Sequence, residues 1–234
     1  MLELVIANKN YSSWSMRPWV LMTELGLPFK ERLLRFDFHR PDSRFAAEAA
    51  RLSPTARVPV LVEADGFATW DSLAIAERLH ELFPEAGVWP QDAHRRARAR
   101  SLAATMHSGF GELRRLCPMN IDTDHSGVGQ RLLATEASLA ADLRRLEALW
   151  EPELAAQGGA LLMGARCCAA DAFFAPLAMR VTRYGLPLSP PAAAYVQALC
   201  ALPSVQRWVR EAEAEQDFVP EDEPYRSSRA ETPR

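Results

Sequence analysis

The sequence is poor in the residues that build metal, disulfide and redox sites. It has four cysteines and five histidines in 234 residues. The cysteines show neither CxxC nor zinc spacing, and no two histidines form an HxxxH pair. We therefore expect isolated buried thiols and no bound metal.

The chain also lacks a strong net charge and a long uncharged apolar segment. A net charge of -3 and an isoelectric point near 6.0 give no overall attraction to nucleic acid or anionic lipid. Residues 1–10 lack the basic and apolar regions of a secretory signal. The apolar segment 158–179 contains Arg166 and Asp171, each of which would cost about 2.5–3.5 kcal/mol at a bilayer centre. We expect a cytoplasmic protein that binds neither nucleic acid nor membrane.

Short apolar runs alternate with amphipathic segments over the first 83 residues. The patterns predict four strands and three helices, with strands at 2–7, 32–36, 58–63 and 67–70 and helices at 18–25, 44–52 and 72–83. The order β-α-β-α-β-β-α requires a parallel strand pair with a crossover helix, and Asp65-Gly66 predicts a closing hairpin. The fold class expected for residues 1–83 is therefore α/β.

Only helical patterns follow a linker with proline and glycine at 83–92. They predict five helices, at 93–116, 130–154, 171–184, 191–201 and 204–214. We expect a second, all-α domain at 93–218 and a polar, mobile tail at 219–234. Asp171, at the start of the third of these helices, is expected to serve folding by accepting backbone hydrogen bonds.

The stretch NYSSWSMRPW, residues 10–19, places three serines before a predicted helix. One of them, Ser13 or Ser15, is expected to be the N-cap. Two interpretations stay open. The serines serve capping alone, or one hydroxyl donates a hydrogen bond to an anion or thiolate at the positive end of the helix dipole.

A second motif lies between the third strand and the third helix. Pro59 lacks a backbone N–H, so the neighbouring groups of Val58 are left free to pair with a peptide-like ligand. Asp71-Ser72 then opens a helix, where it is either a plain N-cap or part of a second polar site.

These motifs, in this order, resemble the N-terminal domain of the glutathione transferase superfamily. SSWSMR is similar to the Ser-Ser-Cys-x-x-Arg signature of the zeta class and related bacterial serine-type enzymes. The resemblance implies a thioredoxin-like domain followed by an all-helical domain, glutathione as co-substrate, and a homodimer. It also implies a detoxifying transferase that adds the glutathione thiolate to a small apolar electrophile.

The resemblance assigns site residues by position. Ser12 stabilises the thiolate and Ser13 is its neighbour in the site. The glutathione-binding residues that it implies are Val58 and cis-Pro59 for the cysteinyl part, Asp71 and Ser72 for the γ-glutamyl end, and Arg57 and His39 for the glycyl carboxylate.

The first long helix of the second half carries Met106, Phe110 and Leu113 along one side. They are either core or the apolar lining of the second-substrate pocket, where Arg114 or Arg115 could steer an acidic substrate.

Two features bear on the reaction. Trp14 replaces the zeta-class cysteine, which weighs against maleylacetoacetate isomerisation, and no cysteine precedes Cys117, which weighs against a cysteine-based thioltransferase. The alternatives are a glutathione-dependent isomerase or peroxidase, or a non-catalytic scaffold that binds other molecules.

Overall fold

Residues 1–37 and 42–233 are described by a computed structural model. The predicted order of the first seven elements is confirmed. They are β1 Leu2–Ile6, α1 Ser13–Glu24, β2 Phe29–Leu33, α2 Phe45–Leu52, β3 Val60–Val62, β4 Ala68–Trp70 and α3 Ser72–Leu82.

The strands form one mixed sheet in the order β2-β1-β3-β4. β1 pairs parallel to β2 and antiparallel to β3, and β3 and β4 form the predicted hairpin. Leu4 and Ile6 of β1 lie in the large core with α1 and α3, whereas Val5 packs on the other face with Phe45 and Ala49 of α2. Both faces of β1 are covered by helices, which explains its continuous apolar run. This is the expected thioredoxin-like architecture.

The second half is helical, also as predicted. Its helices are α4 Ala93–Ser108, α5 Gly111–Leu116, α6 Ser126–Thr135, α7 Ala137–Gln157, α8 Ala169–Arg183, α9 Pro190–Cys200 and α10 Pro203–Ala214. α8 is buried over most of its length because it packs against α1, α4 and α9. Trp19 of α1 and Phe173 and Phe174 of α8 belong to one hydrophobic core that spans both halves. None of the described helices is long and apolar enough to cross a membrane.

Two predicted helices are each divided in the structure. The segment 93–116 breaks at Gly109 and Phe110, because Phe110 adopts a left-handed conformation and a Cβ on Gly109 would lie 2.5 Å from the carbonyl oxygen of Thr105. The segment 130–154 becomes α6 and α7, which are separated at Glu136. β2 also lies three residues earlier than predicted, since its register is set by pairing with β1.

The prediction of a mobile tail is wrong for residues 219–226. Val219 is buried, Pro220–Asp222 form a short 3-10 helix, and Glu223 and Arg226 are buried ionic residues. Charged composition suggested solvent exposure, but these charges are paired inside the protein.

Asp171 has the contacts of a structural residue at the start of α8. Its carboxylate accepts hydrogen bonds from the backbone N–H groups of Leu162 (3.0 Å) and Cys168 (3.1 Å), and from the Tyr195 hydroxyl (3.3 Å). Asp171 is fully buried, and burial raises the pKa of its carboxyl. These bonds join the loop before α8 to α9, which supports the assignment of Asp171 to folding.

Candidate active site

The three serines of the first motif lie at the N-terminus of α1, which begins five residues before the predicted start. The N-cap is Ser12, so the prediction of Ser13 or Ser15 is wrong, and no side chain makes a capping bond there. The Ser12 hydroxyl donates to Ser15 Oγ at 2.7 Å, and Ser15 Oγ accepts the backbone N–H of Ala7 at 3.2 Å. These two hydroxyls therefore tie α1 to the end of β1.

Ser13 is placed differently. Its Oγ accepts a hydrogen bond from Arg180 Nη2 at 3.3 Å, and its proton is donated to no described residue. The side chain is 8% exposed and faces a cleft. In this arrangement the Ser13 hydroxyl, rather than that of Ser12, is free to donate to a ligand at the positive end of the helix.

The second motif, at Val58-Pro59 and Asp71-Ser72, also lines a cleft. The Val58-Pro59 peptide bond is cis, and the backbone of Val58 forms no hydrogen bond with any described residue. Asp71 caps α3 by accepting the N–H of Leu73 at 2.8 Å, so the plain N-cap is part of its role. Its second oxygen lies 3.3 Å from His107 Nε2.

Two adjoining clefts bring most of the predicted residues together. The larger, of about 620 Å³, is lined by Ser12, Ser13, Arg57 and Val58. The smaller, of about 450 Å³, is lined by Arg57, Val58, Pro59, Asp71 and Ser72. The two clefts share Trp14, Arg57, Val58 and Arg114, so they form one continuous groove. His39 lies outside the described residues.

Of the two interpretations of Met106, Phe110 and Leu113, the structure favours core over lining of a second-substrate pocket. These side chains are at most 1% exposed and belong to the large hydrophobic core. The helical half instead lines the larger cleft with Gly111, Arg114, Arg115, Pro118, Met119, Arg180 and Asp222.

Three arginines meet beside the groove and form what we call the arginine cluster: Arg17, Arg114 and Arg180. Arg17 and Arg180 are almost fully buried, and none of the three lies within 4 Å of a carboxylate of the described residues. Burial, with repulsion from Arg114, lowers the pKa of Arg17 to about 9 and that of Arg180 to about 10. The Trp14 ring lies between Arg17 at 4.0 Å and Arg114 at 5.0 Å.

The hydrogen bonds of the cluster go to neutral acceptors. Arg180 donates to the carbonyls of Cys117 (2.8 Å) and Pro176 (3.2 Å) besides Ser13. Arg17 Nη1 donates to Ser72 Oγ at 3.4 Å, and its buried Nε has no partner among the described residues. The cluster therefore keeps its positive charge beside the groove.

Other groups near the groove are unsuited to nucleophilic or metal chemistry. The Tyr11 hydroxyl donates to Glu223 at 2.8 Å, and burial together with that carboxylate raises its pKa. Burial also raises the pKa of the Cys117 thiol to about 12. Within residues 1–37 and 42–233, no three His, Cys, Asp or Glu side chains are grouped to hold a metal ion.

Known proteins are similar to this chain in sequence and in fold. Residues 11–82 match the family model of the glutathione S-transferase N-terminal domain. The chain is also similar to a structure of a glutathione transferase homolog from Burkholderia gl BGR1 with bound glutathione, with 27% identity, a TM-score of 0.65, and coverage of 92% of this chain and 99% of that one. Residues 11–82 therefore belong to the glutathione S-transferase N-terminal domain family.

Two curated relatives of the chain are named for different activities. Over 140 residues, 59% of this chain, it is 31% identical to a probable maleylacetoacetate isomerase of Caenorhabditis elegans. Over 143 residues, 61% of this chain, it is 31% identical to glutathione S-transferase 1 of Dianthus caryophyllus. The chain spans about 62% of the length of both relatives.

Sequence reasoning missed Arg17, Arg180 and Asp222 as residues of the site. Arg17 was visible as the last residue of SSWSMR, but nothing local marks Arg180 or Asp222. Arg180 is separated from Ser13 by 167 residues and reaches it only through the packing of α8 against α1.

Proposed function

We propose that the protein is a glutathione transferase that activates the glutathione thiol at the N-terminus of α1 and joins it to an electrophilic carbon. The observation that carries the proposal is the Ser13 hydroxyl, which has a free proton and a buried guanidinium 3.3 Å away, in a groove with Val58-Pro59 and Asp71-Ser72. The match of residues 11–82 to the glutathione S-transferase N-terminal domain and the glutathione bound by the similar Burkholderia homolog support it.

In this proposal, glutathione lies along the groove. The free backbone groups of Val58 pair with the cysteinyl part, as an added strand would. Asp71 and Ser72 hold the γ-glutamyl end, and the exposed Arg57 holds the glycyl carboxylate, with His39 as a further candidate for that carboxylate.

The chemistry follows from the charge on sulfur. A free thiol has a pKa near 8.5 and is mostly protonated at neutral pH. The helix N-terminus, the Ser13 hydroxyl and the Arg180 charge each favour the anionic sulfur, so the thiol loses its proton to solvent more readily. The thiolate electron pair then forms the S–C bond with the electrophile, and its leaving group departs with the displaced pair or a solvent proton completes an addition.

The first prediction separates the two serines. We expect Ser13→Ala to lower kcat/KM about tenfold or more, equivalent to about 1.4 kcal/mol of transition-state stabilisation, because the hydrogen bond to the thiolate is lost. The pKa of the bound thiol, followed by ultraviolet absorbance of the thiolate, should rise. Affinity for S-methylglutathione, which cannot ionise, should stay close to that of the wild type.

Ser12→Ala is the matched comparison. It removes a hydroxyl that donates to Ser15, so we expect a smaller change in the thiol pKa. If Ser12→Ala raised the thiol pKa more than Ser13→Ala, Ser12 would be the residue that stabilises the thiolate, as the sequence resemblance assigns.

A second candidate is glutathione-dependent isomerisation. The similarity to the Caenorhabditis elegans isomerase favours it, and Trp14 in place of the zeta-class cysteine disfavours it. An isomerase assay with maleylacetoacetate, beside a conjugation assay, separates the two. Peroxidase activity would be detected with organic hydroperoxides, and failure to bind glutathione would leave the non-catalytic scaffold.

We further propose that the protein is a homodimer, in line with the resemblance and with two exposed aromatic side chains, Phe67 and Trp70. A cytoplasmic location and a role in detoxification stay predictions that rest on the sequence.

A further inference from the structure

We propose that the electrophile accepted by this site carries a carboxylate or a similar anionic group, which Arg114 binds. The inference rests on the proposed function, since it names the second substrate of the same groove. It also changes the expectation of a purely apolar electrophile.

The groove has a surplus of positive charge. The groove is lined by Arg57, Arg114 and Arg180. Buried Arg17 lies behind Ser72, to which it donates a hydrogen bond. None of these four arginines is paired with a carboxylate of the described residues. Arg115 differs, because Glu112 pairs with it at 2.8 Å. Like charges that share a partly buried site repel each other, and a bound anion relieves that repulsion.

The anionic groups of glutathione supply partners for all but one of these cations. The thiolate lies at Ser13 beside Arg180, the γ-glutamyl carboxylate at Ser72 in front of Arg17, and the glycyl carboxylate at Arg57. Glutathione with an ionised thiol has these three negative groups and one ammonium group, at the γ-glutamyl end, for which Asp71 is the partner. One cation of the site, Arg114, is then left without an anion.

Arg114 lies where the two clefts meet. It lines both clefts, and only its Nη1 donates to described residues, the carbonyls of His107 at 3.4 Å and Gly109 at 3.3 Å. The guanidinium is half-buried over the Trp14 ring, in the wall of the cleft that Ser13 also lines. A guanidinium in this position can form a charge-assisted hydrogen bond with a carboxylate.

The remaining walls suit a substrate with an apolar body. The larger cleft also presents Phe36, Phe45, Pro118 and Met119. One carboxyl group, Asp222, opposes an anion there, and burial raises its pKa to about 6. Above that pH the Asp222 charge offsets part of the Arg180 charge.

The probes are ethacrynic acid and its methyl ester, which share one α,β-unsaturated ketone and differ in a distant carboxylate. In both, the thiolate forms a bond to the terminal alkene carbon, the alkene electron pair moves to the carbonyl oxygen as an enolate, and a solvent proton completes the adduct. The measurement is kcat/KM for each probe, divided by its uncatalysed rate with glutathione.

We expect the wild type to prefer the acid. Arg114→Met should lower kcat/KM for the acid about tenfold and for the ester less than about twofold, as loss of one hydrogen bond to a charged group predicts. Asp222→Asn should increase the preference for the acid. Arg144→Met, which removes an exposed arginine of α7, is the charge-matched control and should leave the ratio unchanged.

Calorimetric titration of the two preformed glutathione conjugates gives the same comparison without turnover. If Arg114→Met lowered the affinity for both conjugates equally and also weakened binding of S-methylglutathione, Arg114 would be a glutathione-binding residue. That result would overturn this inference and leave the proposed function standing. A wild type that prefers the ester would do the same. A wild type that binds neither glutathione nor either conjugate would overturn the proposed function, and the inference with it.

Discussion

His125 is a buried titratable residue outside the groove. Its ring stacks on Tyr184, with 4.7 Å between centroids and an interplanar angle of 9°. Both ring nitrogens are buried and have no hydrogen-bond partner among the described residues. Burial and the nearby Arg226 and Arg183 outweigh the attraction of Asp122 and Asp124, so the pKa of His125 falls to about 4.

At the residue scale we therefore predict a pH-dependent loss of stability. A histidine in the unfolded chain titrates near pH 6.5, so the contribution of neutral His125 is complete above that pH and is lost as the pH falls from about 6.5 to about 4. His125→Phe keeps the stacking and removes the charge. We expect the free energy of unfolding of His125→Phe, relative to that of the wild type, to rise by about 3 kcal/mol as the pH falls through this window.

Urea unfolding of both proteins at several pH values gives the difference between their free energies of unfolding. Other titrating groups contribute equally to both proteins, so their effects cancel in this difference. A constant difference from pH 7 to pH 4 would contradict the prediction.

At the scale of elements, the C-terminal segment 219–226 is attached to both halves by buried charges. Arg226 donates to Glu223 at 2.6 Å and to Asp122 at 2.7 Å. Glu223 also accepts from the Tyr11 hydroxyl at 2.8 Å and from Asn120 at 3.0 Å. The segment thereby fixes Asp222 in the wall of the larger cleft.

We predict that Arg226→Met lowers the free energy of unfolding by about 3 kcal/mol, because Glu223 and Asp122 would remain buried without their counter-ion. Arg98→Met is the matched control. Arg98 is 63% exposed and pairs with Glu153 at 3.3 Å, so we expect a loss below about 1 kcal/mol. Denaturant unfolding measures both. Similar losses in the two variants would show that the buried pairs add nothing beyond surface attraction.

At the scale of the whole molecule, the sheet ends in an exposed apolar edge. β4 is the outer strand, Trp70 at its end is 41% exposed, and Phe67 just before it is 59% exposed. Large apolar side chains that stay exposed beside an edge strand are candidates for an interface with another chain. This supports the proposed homodimer.

We expect sedimentation equilibrium to give about twice the chain mass of 26.1 kDa, and Phe67→Glu to shift the protein toward monomer because it places a charge in the apolar contact. Ala201→Glu, at an exposed position after α9, is the control and should stay dimeric. A wild type of monomer mass at micromolar concentration would contradict the proposal.

The element order was predictable because its signals are local. The apolar run of β1, the Asp65-Gly66 turn and the amphipathic spacing of α3 each depend on neighbouring residues. The boundaries were less predictable. The break before α5 and the early start of β2 are set by pairing and packing with distant segments, which hydrophobic spacing does not record.

The sequence by itself determined the thioredoxin-like order, the helical second half, and the motifs at Ser13, Val58-Pro59 and Asp71-Ser72, because each motif acts through adjacent backbone. Only the tertiary structure decided which serine proton is free, that Met106, Phe110 and Leu113 are core, and that the groove is bordered by arginines. Those features arise where α8 and the C-terminal segment pack against α1. Charged residues that are far apart in the sequence lie close together there, and no local sequence pattern predicts such a contact.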